Sequence, residues 1–457
     1  MRLAELAKKR VAVWGYGREG RAASAVLRQR FPRQALTVFC SQDEAIAAAA
    51  GPQQEFLHLV ATPPDALALS HFDVVVKSPG ISAYKSPVPE AEAAGVRFTS
   101  GSALWFAEHA GARTICVTGT KGKSTVSALI AHLLRNSGKC VALAGNIGLP
   151  LLELLDPTPV PDWWVIELSS FQSRDFAGTP TVAVINNLYE EHLDWHGTRE
   201  RYVSDKLAIA AKARQLVIGA QPELLALTAA HPRRKVFGNA DGWHVRDLAI
   251  FRAAERILPL AALPLPGMHN ALNACAAFGA IEAAGEDAHA MAQYVATFKP
   301  LPHRLQTLGE RGGIDYINDS IATTPYATVE ALRSLAGRAV TVLVGGFDRG
   351  VDWSIFVDAV SKQAPHAIVT MGANGAAIAA ALRRTDAPRF ALASAQSLHD
   401  ALARARALTP AGGTILLSPG APSFDQFRDY AERGREFARL AGFDPAQIAQ
   451  IEGLGIA

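Results

Sequence analysis

Cysteine is scarce: the 457 residues hold four, at Cys40, Cys116, Cys140 and Cys275, with no C-x-x-C pair. That gives no disulfide framework and no cysteine zinc site, and it suits a reducing compartment. An excess of one charge is lacking too. Lys+Arg total 45 against 42 Asp+Glu, a formal net charge of +3, so composition makes no case for a nucleic acid or a membrane surface as partner. An anionic substrate stays compatible, because a local cleft matters more than the total. No run of 18 apolar residues occurs, and the opening MRLAELAKKR has no long apolar stretch. Neither a spanning helix nor a secretory leader is expected, and a cytoplasmic location is. Hydrophobic residues make up 49%, as in ordinary packed cores. The length is too great for one core and suggests roughly three domains.

What the chain does have is the stretch Thr114-Ile-Cys-Val-Thr-Gly-Thr-Lys-Gly-Lys-Ser-Thr125. Ile115 to Val117 reads as a buried strand that stops at Gly119, and Gly122-Lys123-Ser124-Thr125 opens an apolar-periodic helix through Leu134. A strand, a glycine turn and a helix N-terminus make a phosphate cradle: backbone N–H groups and the positive end of the helix dipole face the anion. Lys123 adds a point charge, and the Ser124 or Thr125 hydroxyl can hold Mg²⁺. The strict P-loop pattern places a glycine where Val117 stands, so the match is to a shorter variant.

Near the start, Arg10-Val-Ala-Val-Trp-Gly-Tyr-Gly-Arg-Glu-Gly20 is a strand running into G-x-G-x-x-G, with Gly15, Gly17 and Gly20. The pattern resembles a dinucleotide fingerprint, but the same geometry takes any diphosphate at a helix N-terminus. An NAD(P)-dependent oxidoreductase would leave the 119–125 loop unexplained. Asp73-Val-Val-Val-Lys-Ser-Pro-Gly80 is a further buried strand ending at Ser78. Strands alternate with helices, so the region is α/β.

More strand ends follow the phosphate loop. Val141–Gly148 ends in a Gly-Asn turn at Asn146, and Asp162–Ser170 puts Glu167 at the end of an apolar strand. A carboxylate there is costly unless paired or metal-bound, and ligands gather at such ends. Mg²⁺ coordination is the reading preferred for Glu167. The strand Val182–Asn187 leads to His192, Asp194 and His196. A zinc set is one reading, but the order is not H-E-x-x-H and no third nitrogen or sulfur ligand suggests itself. Lys206 lies on a helix from Tyr202 to Ala211, where spacing alone assigns it no role.

Together, Gly119-Thr-Lys-Gly-Lys-Ser-Thr125, Gly145-Asn-Ile-Gly148, Glu167-Leu-Ser-Ser-Phe-Gln172, His192-x-Asp-x-His-Gly with Lys206 beyond, and Gly267-Met-His-Asn-Ala-Leu-Asn273 resemble the Mur ligases over essentially the whole chain. Within that family the likeness is to the members that add glutamate to UDP-N-acetylmuramoyl-L-alanine in peptidoglycan precursor synthesis. The resemblance implies three Rossmann-like α/β domains, the central one of P-loop ATPase type: 1–101 for the UDP substrate, 102–300 for ATP, 301–457 for the incoming glutamate. It implies that Gly119, Thr120, Lys121, Gly122, Lys123, Ser124 and Thr125 hold the ATP phosphates, with Ser124 and Thr125 near Mg²⁺. Glu167 and His192 would hold magnesium, and Lys206 would be carbamylated to serve a second ion. Asn270 and Asn273 would face the adenine, and Arg304 and Asp319 would contact ATP. Gly15, Gly17, Gly20, Ser78 and Asn146 would meet the UDP substrate. Lys121 departs from the family's usual Asn and adds charge beside the phosphates. The partners are the two substrates, with no nucleic acid or membrane, and the chain is expected to act as a monomer.

In 301–457, buried strands end in glycine or polar turns around Asp319, Gly345–Gly350 and Ser418–Gly420. The family pattern maps the amino-acid pocket to Thr323, Arg349, Ser423, Phe424 and Tyr430, and Arg349 suits a carboxylate. This third sheet has no phosphate loop of its own, which suggests a closing lid. Ile321 replaces the usual Lys, the 418–425 segment differs from the usual form, and Tyr430 replaces a common Phe. Three changes around one pocket favour L-glutamate, with D-glutamate the alternative. A folylpolyglutamate synthase-like enzyme is a more remote one.

Overall fold

Short runs of β-branched residues build the sheets. The computed structural model describes residues 1–49, 56–265, 267–384, 389–448, 451 and 453–457. These form two compact units, Met1–Ala262 with Ala271–Phe298 and Gly453–Ala457, and Leu263–Asn270 with Lys299–Glu452.

In the first unit, β1 (Val11–Trp14), β2 (Leu36–Phe39), β3 (Leu57–Val60), β4 (Val74–Lys77) and β5 (Arg97–Thr99) form a parallel sheet in the order β3-β2-β1-β4-β5. The order reverses at β1, so the crevice beyond the carboxyl ends of β1 and β4 is the ligand-binding position of such a sheet. The helix Arg18–Arg30 starts there.

A second sheet takes β6 (Thr114–Thr118), β7 (Val141–Gly145), β8 (Trp163–Glu167), β9 (Val182–Ile185), β10 (Gln215–Gly219) and β11 (Arg234–Phe237) in the order β11-β10-β9-β6-β8-β7. Its central strands are buried on both faces, which is why they read as unbroken apolar runs. One apolar core joins the two sheets: Val11, Val76, Trp105, Leu152 and Trp164 belong to it. The boundary expected at 101/102 falls in the first turn of the helix Gly101–Glu108, whose Trp105 is fully buried 4.5 Å from Trp164.

Two features have no counterpart in the sequence reading. The strands β12 (Trp243–Arg246), β13 (Ala249–Arg252) and β14 (Glu255–Pro259) form a separate antiparallel sheet.

In the second unit, β15 (Gln306–Arg311), β16 (Ile314–Asn318), β17 (Val340–Val344), β18 (Ala367–Thr370), β19 (Ala391–Ser394) and β20 (Thr414–Leu417) take the order β15-β16-β20-β17-β18-β19. Among the described strands of this sheet, only β15 runs antiparallel. The other unforeseen feature is β21 (Gly455–Ile456), which returns to the first unit and pairs antiparallel with β7. Residues 453–457 therefore belong with the central sheet and not with 301–452.

Candidate active site

The phosphate loop leaves the carboxyl end of β6, between β8 and β9. Two glycines make its path possible. Gly119 has φ 142° and a Cβ there would stand 2.9 Å from the Asn186 Cβ. Gly122 has φ 83°, and a Cβ there would collide with Asn273 Oδ1. Gly122 also caps the helix Lys123–Asn136 without a side chain, which leaves its first N–H groups directed at the loop. Lys123 Nζ folds back onto the Gly119 and Thr120 carbonyls, 3.0 Å from each. Ser124 and Thr125 are buried in the first helical turn.

Two loop side chains are already engaged. The Thr120 hydroxyl contacts Tyr202 Oη at 2.7 Å and the Tyr189 backbone, so only its main chain is left for a phosphate. The extra charge of Lys121 is met by Glu191 at 2.8 Å. Burial opposes ionisation of Glu191, but Lys121 outweighs it and holds the carboxyl below its usual range.

Glu167 ends β8 and is 1% exposed. Asn146 Nδ2 donates to its Oε1 at 2.6 Å, while its buried Oε2 has no hydrogen-bond partner among the described residues. An orphaned carboxylate oxygen beside a phosphate loop is what a divalent cation fits. His192 stands in left-handed conformation (φ 58°) at the start of a short helix, its ring half-exposed beside Phe171. Burial, against the pull of Glu191, lowers its pKa and favours the neutral imidazole that binds metals. Lys206, 2% exposed on the helix Arg199–Ala211, donates to the Gly119 carbonyl at 2.8 Å. Burial, then the Lys123 cation, pushes it well below the usual lysine range, so a neutral, nucleophilic amine is within reach.

The zinc reading of His196 fails on geometry. Its ring is fully buried, with Nδ1 2.7 Å from Asp205 Oδ2 and Nε2 3.0 Å from Ser170 Oγ. Both nitrogens are committed to protein. Tyr84 Oη donates to the other Asp205 oxygen at 2.8 Å, which links the first sheet to the helix bearing Lys206. Sequence spacing offered no sign of this hydrogen-bonded chain.

In the first sheet, Gly15, Gly20 and Ser78 meet at the β1–β4 crevice. Ser78 Oγ donates to the Gly15 carbonyl at 3.2 Å, and a Cβ on Gly20 would overlap that same carbonyl. Gly17 caps the helix with open space beside it. Arg18 donates to the Gly148 carbonyl at 3.0 Å and Gln172 Nε2 donates to Glu19 at 3.2 Å, contacts that sequence reasoning did not anticipate.

Asn273 lies against Gly122, at the phosphate end of the loop, and Asn270, on the same helix, groups with the second unit. In that unit Asp319 accepts from the Leu305 N–H at 3.1 Å and from Ser418 Oγ at 2.8 Å. Burial pushes its carboxyl up to about 7. Arg304 immediately precedes Leu305. Thr323 follows β16. Ser423 is buried after β20, Phe424 is exposed with the Arg349 guanidinium 5.8 Å from its ring centroid, and Tyr430 opens the helix Tyr430–Ala441. These five pocket candidates thus stand on the segments that follow β16, β17 and β20, four in loops and Tyr430 at a helix start.

The fold and the loop are those of an ATP-dependent ligase. Family models match in order, the Mur ligase middle domain over residues 117–281 and the Mur ligase glutamate ligase domain over 303–420, and the chain belongs to the Mur ligase family. It is 51% identical to a UDP-N-acetylmuramoyl-L-alanine--L-glutamate ligase of Xylella fastidiosa, covering 100% of both chains. To a Micromonospora enzyme of the same name it is 40% identical, over 96% of this chain and 97% of that one. Among solved structures, a UDP-N-acetylmuramate-alanine ligase of Thermotoga maritima matches with TM-score 0.60 at 20% identity, over 95% of this chain and 99% of that one. A Mycobacterium tuberculosis folylpolyglutamate synthase complexed with ADP matches with TM-score 0.55 at 19% identity, over 74% and 92%. Both structures speak to the fold alone.

Proposed function

We propose that the chain joins L-glutamate to UDP-N-acetylmuramoyl-L-alanine at the expense of ATP, in cytoplasmic peptidoglycan precursor synthesis. The observation that carries this reading is 51% identity along the full length of an enzyme of that name. Three regions divide the work: 1–101 anchors the UDP moiety through Gly15, Gly17, Gly20 and Ser78, 102–300 binds ATP, and 301–452 binds glutamate.

The alanine carboxylate of the substrate attacks the γ-phosphorus of ATP, the bond to the β-phosphate oxygen breaks, and ADP leaves. The glutamate amine then attacks the acyl phosphate carbon, loses a proton and expels inorganic phosphate. No enzyme nucleophile is needed. Lys123 and the backbone N–H groups of 119–125 hold the phosphates where negative charge builds up, the main task in phosphoryl transfer. Glu167, His192, Ser124 and Thr125 would hold Mg²⁺, which supplies charge neutralisation at the phosphates. The orphaned Glu167 Oε2 supports that assignment. Lys206 would join them as a carbamate, its neutral amine attacking CO₂ with loss of a proton. The enzyme works as a monomer, with Asn270, Asn273, Arg304 and Asp319 serving the nucleotide and Asn146 the UDP substrate.

ADP release measured with UDP-N-acetylmuramoyl-L-alanine and either L- or D-glutamate tests the reading. Release should require all three substrates and prefer the L enantiomer. Preference for D-glutamate would overturn the enantiomer, and release indifferent to glutamate would overturn the ligase.

A further inference from the structure

Arg433 is 1% exposed on the helix Tyr430–Ala441. Its Nε donates to Ser320 Oγ at 3.0 Å and its Nη2 to the Ser320 carbonyl at 2.8 Å. Its Nη1 is enclosed and has no acceptor among the described residues. Asp425 is the acid whose charge it feels, and one Asp425 oxygen already accepts from the Ala373 N–H at 3.0 Å. Burial lowers the guanidinium to about 10, so it stays charged at neutral pH. A buried cation without a carboxylate partner is costly, and a chain that keeps one has a use for its field.

Its position suggests the use. Nη1 lies under Gly346, where a Cβ would stand 3.2 Å from it and would collide with the Pro422 carbonyl. Gly346 follows β17, Ser320 follows β16 and Pro422 follows β20, three adjacent strands whose carboxyl ends form the ligand edge of such a sheet. On the outer side of the same turn, exposed Arg349 stands by the Phe424 ring. One turn thus carries an enclosed cation beneath it and an exposed one on its surface.

We propose that Arg433 is the fixed counter-charge of the amino-acid pocket and sets its preference for a dicarboxylate, acting through Ser320 and the Gly345–Gly346 turn without touching the ligand. It is a positioning and specificity residue, and it rests on the glutamate-ligase reading above. Sequence gave no reason to single it out.

The test is steady-state kinetics of the full chain with glutamate and glutamine as rival amino acids, in wild type, Arg433→Met and Arg433→Lys. Arg433→Met should raise KM for glutamate about 30-fold or more, leave KM for ATP and for the UDP substrate within about twofold, and collapse the glutamate-over-glutamine ratio of kcat/KM. Arg433→Lys should restore most of that ratio. A Met variant whose three KM values move together, or whose ratio is intact, overturns the proposal in favour of a purely structural role. Should the Met variant not fold, Asp425→Asn decides: removing the offsetting acid should lower KM for glutamate by about twofold or more, and an unchanged or higher KM overturns the proposal. Wild type without glutamate-dependent ADP release would instead sink the ligase reading, and this assignment with it.

Discussion

Glu19 is largely enclosed where the first glycine loop meets Gln172, and burial pushes its carboxyl up to about 7. A carboxyl raised above its unfolded value stabilises the fold fully below pH ~4.5, and that contribution fades as pH climbs to about 7. Glu19→Gln keeps an acceptor for Gln172 and removes the proton dependence. In urea melts the variant should gain on wild type by about 2 kcal/mol between pH 5 and pH 8; parallel pH profiles would refute the burial argument. Lys206 invites a chemical test. Lys206→Ala should lose most ADP release and recover part of it with formate or acetate but not chloride, and equal recovery by chloride would remove the carbamate. Both glycine loops and Glu167 were legible in the sequence because strand ends and glycine turns mark residue types over short spans, whereas Lys206 drew notice only through the family resemblance. Glu19 and Arg433 were not: their meaning comes from enclosure, and the Ser320 that engages Arg433 lies 113 positions away.

At the scale of elements, the strands legible in the sequence were those buried on both faces, such as β6 and β9, whose β-branched runs end in glycine or asparagine turns. The β12–β14 sheet escaped notice because its turns carry no glycine. Asp247, Leu248 and Ala253 adopt φ of 47°, 53° and 50°, conformations that turn signals assign to Gly or Asn. Something else must hold this sheet, and Glu282 does so. It accepts from Trp243 at 2.7 Å, from Arg252 at 2.7 Å and from Lys235 at 2.7 Å, pinning the hairpin to the helix Met268–Ala283. Burial alone would raise its carboxyl, but these donors hold it down at about 2. A depressed carboxyl stabilises above its unfolded pKa and loses that effect as pH falls from about 4.5 to about 2. Glu282→Gln should therefore cost about 1–2 kcal/mol at pH 7 and progressively less in acid, as read from denaturant melts.

For the whole molecule, the sequence showed three successive α/β regions but not that the chain returns. Arg135 makes the return specific. Its guanidinium donates to the carbonyls of Gly453, Val141 and Gly455 at 2.6, 2.7 and 2.9 Å, fastening β21 to β7. No periodicity marks a two-residue strand, so residues 453–457 gave no signal. Arg135→Ala should cost about 2–3 kcal/mol and speed amide exchange at Val141, whose N–H is bonded to the Ala457 carbonyl at 2.8 Å; unchanged exchange would mean the strand is held without it.

That pairing has a consequence for the order in which the protein is made. Gly455 lies 320 positions beyond Arg135, so at roughly 5–20 residues per second the ribosome needs roughly 16–64 s to deliver β21 after its anchor has emerged. Through that interval the β7 edge stands without its neighbour, an open template for a strand from another nascent chain. The central sheet is synthesised long before the strand that closes its β7 edge.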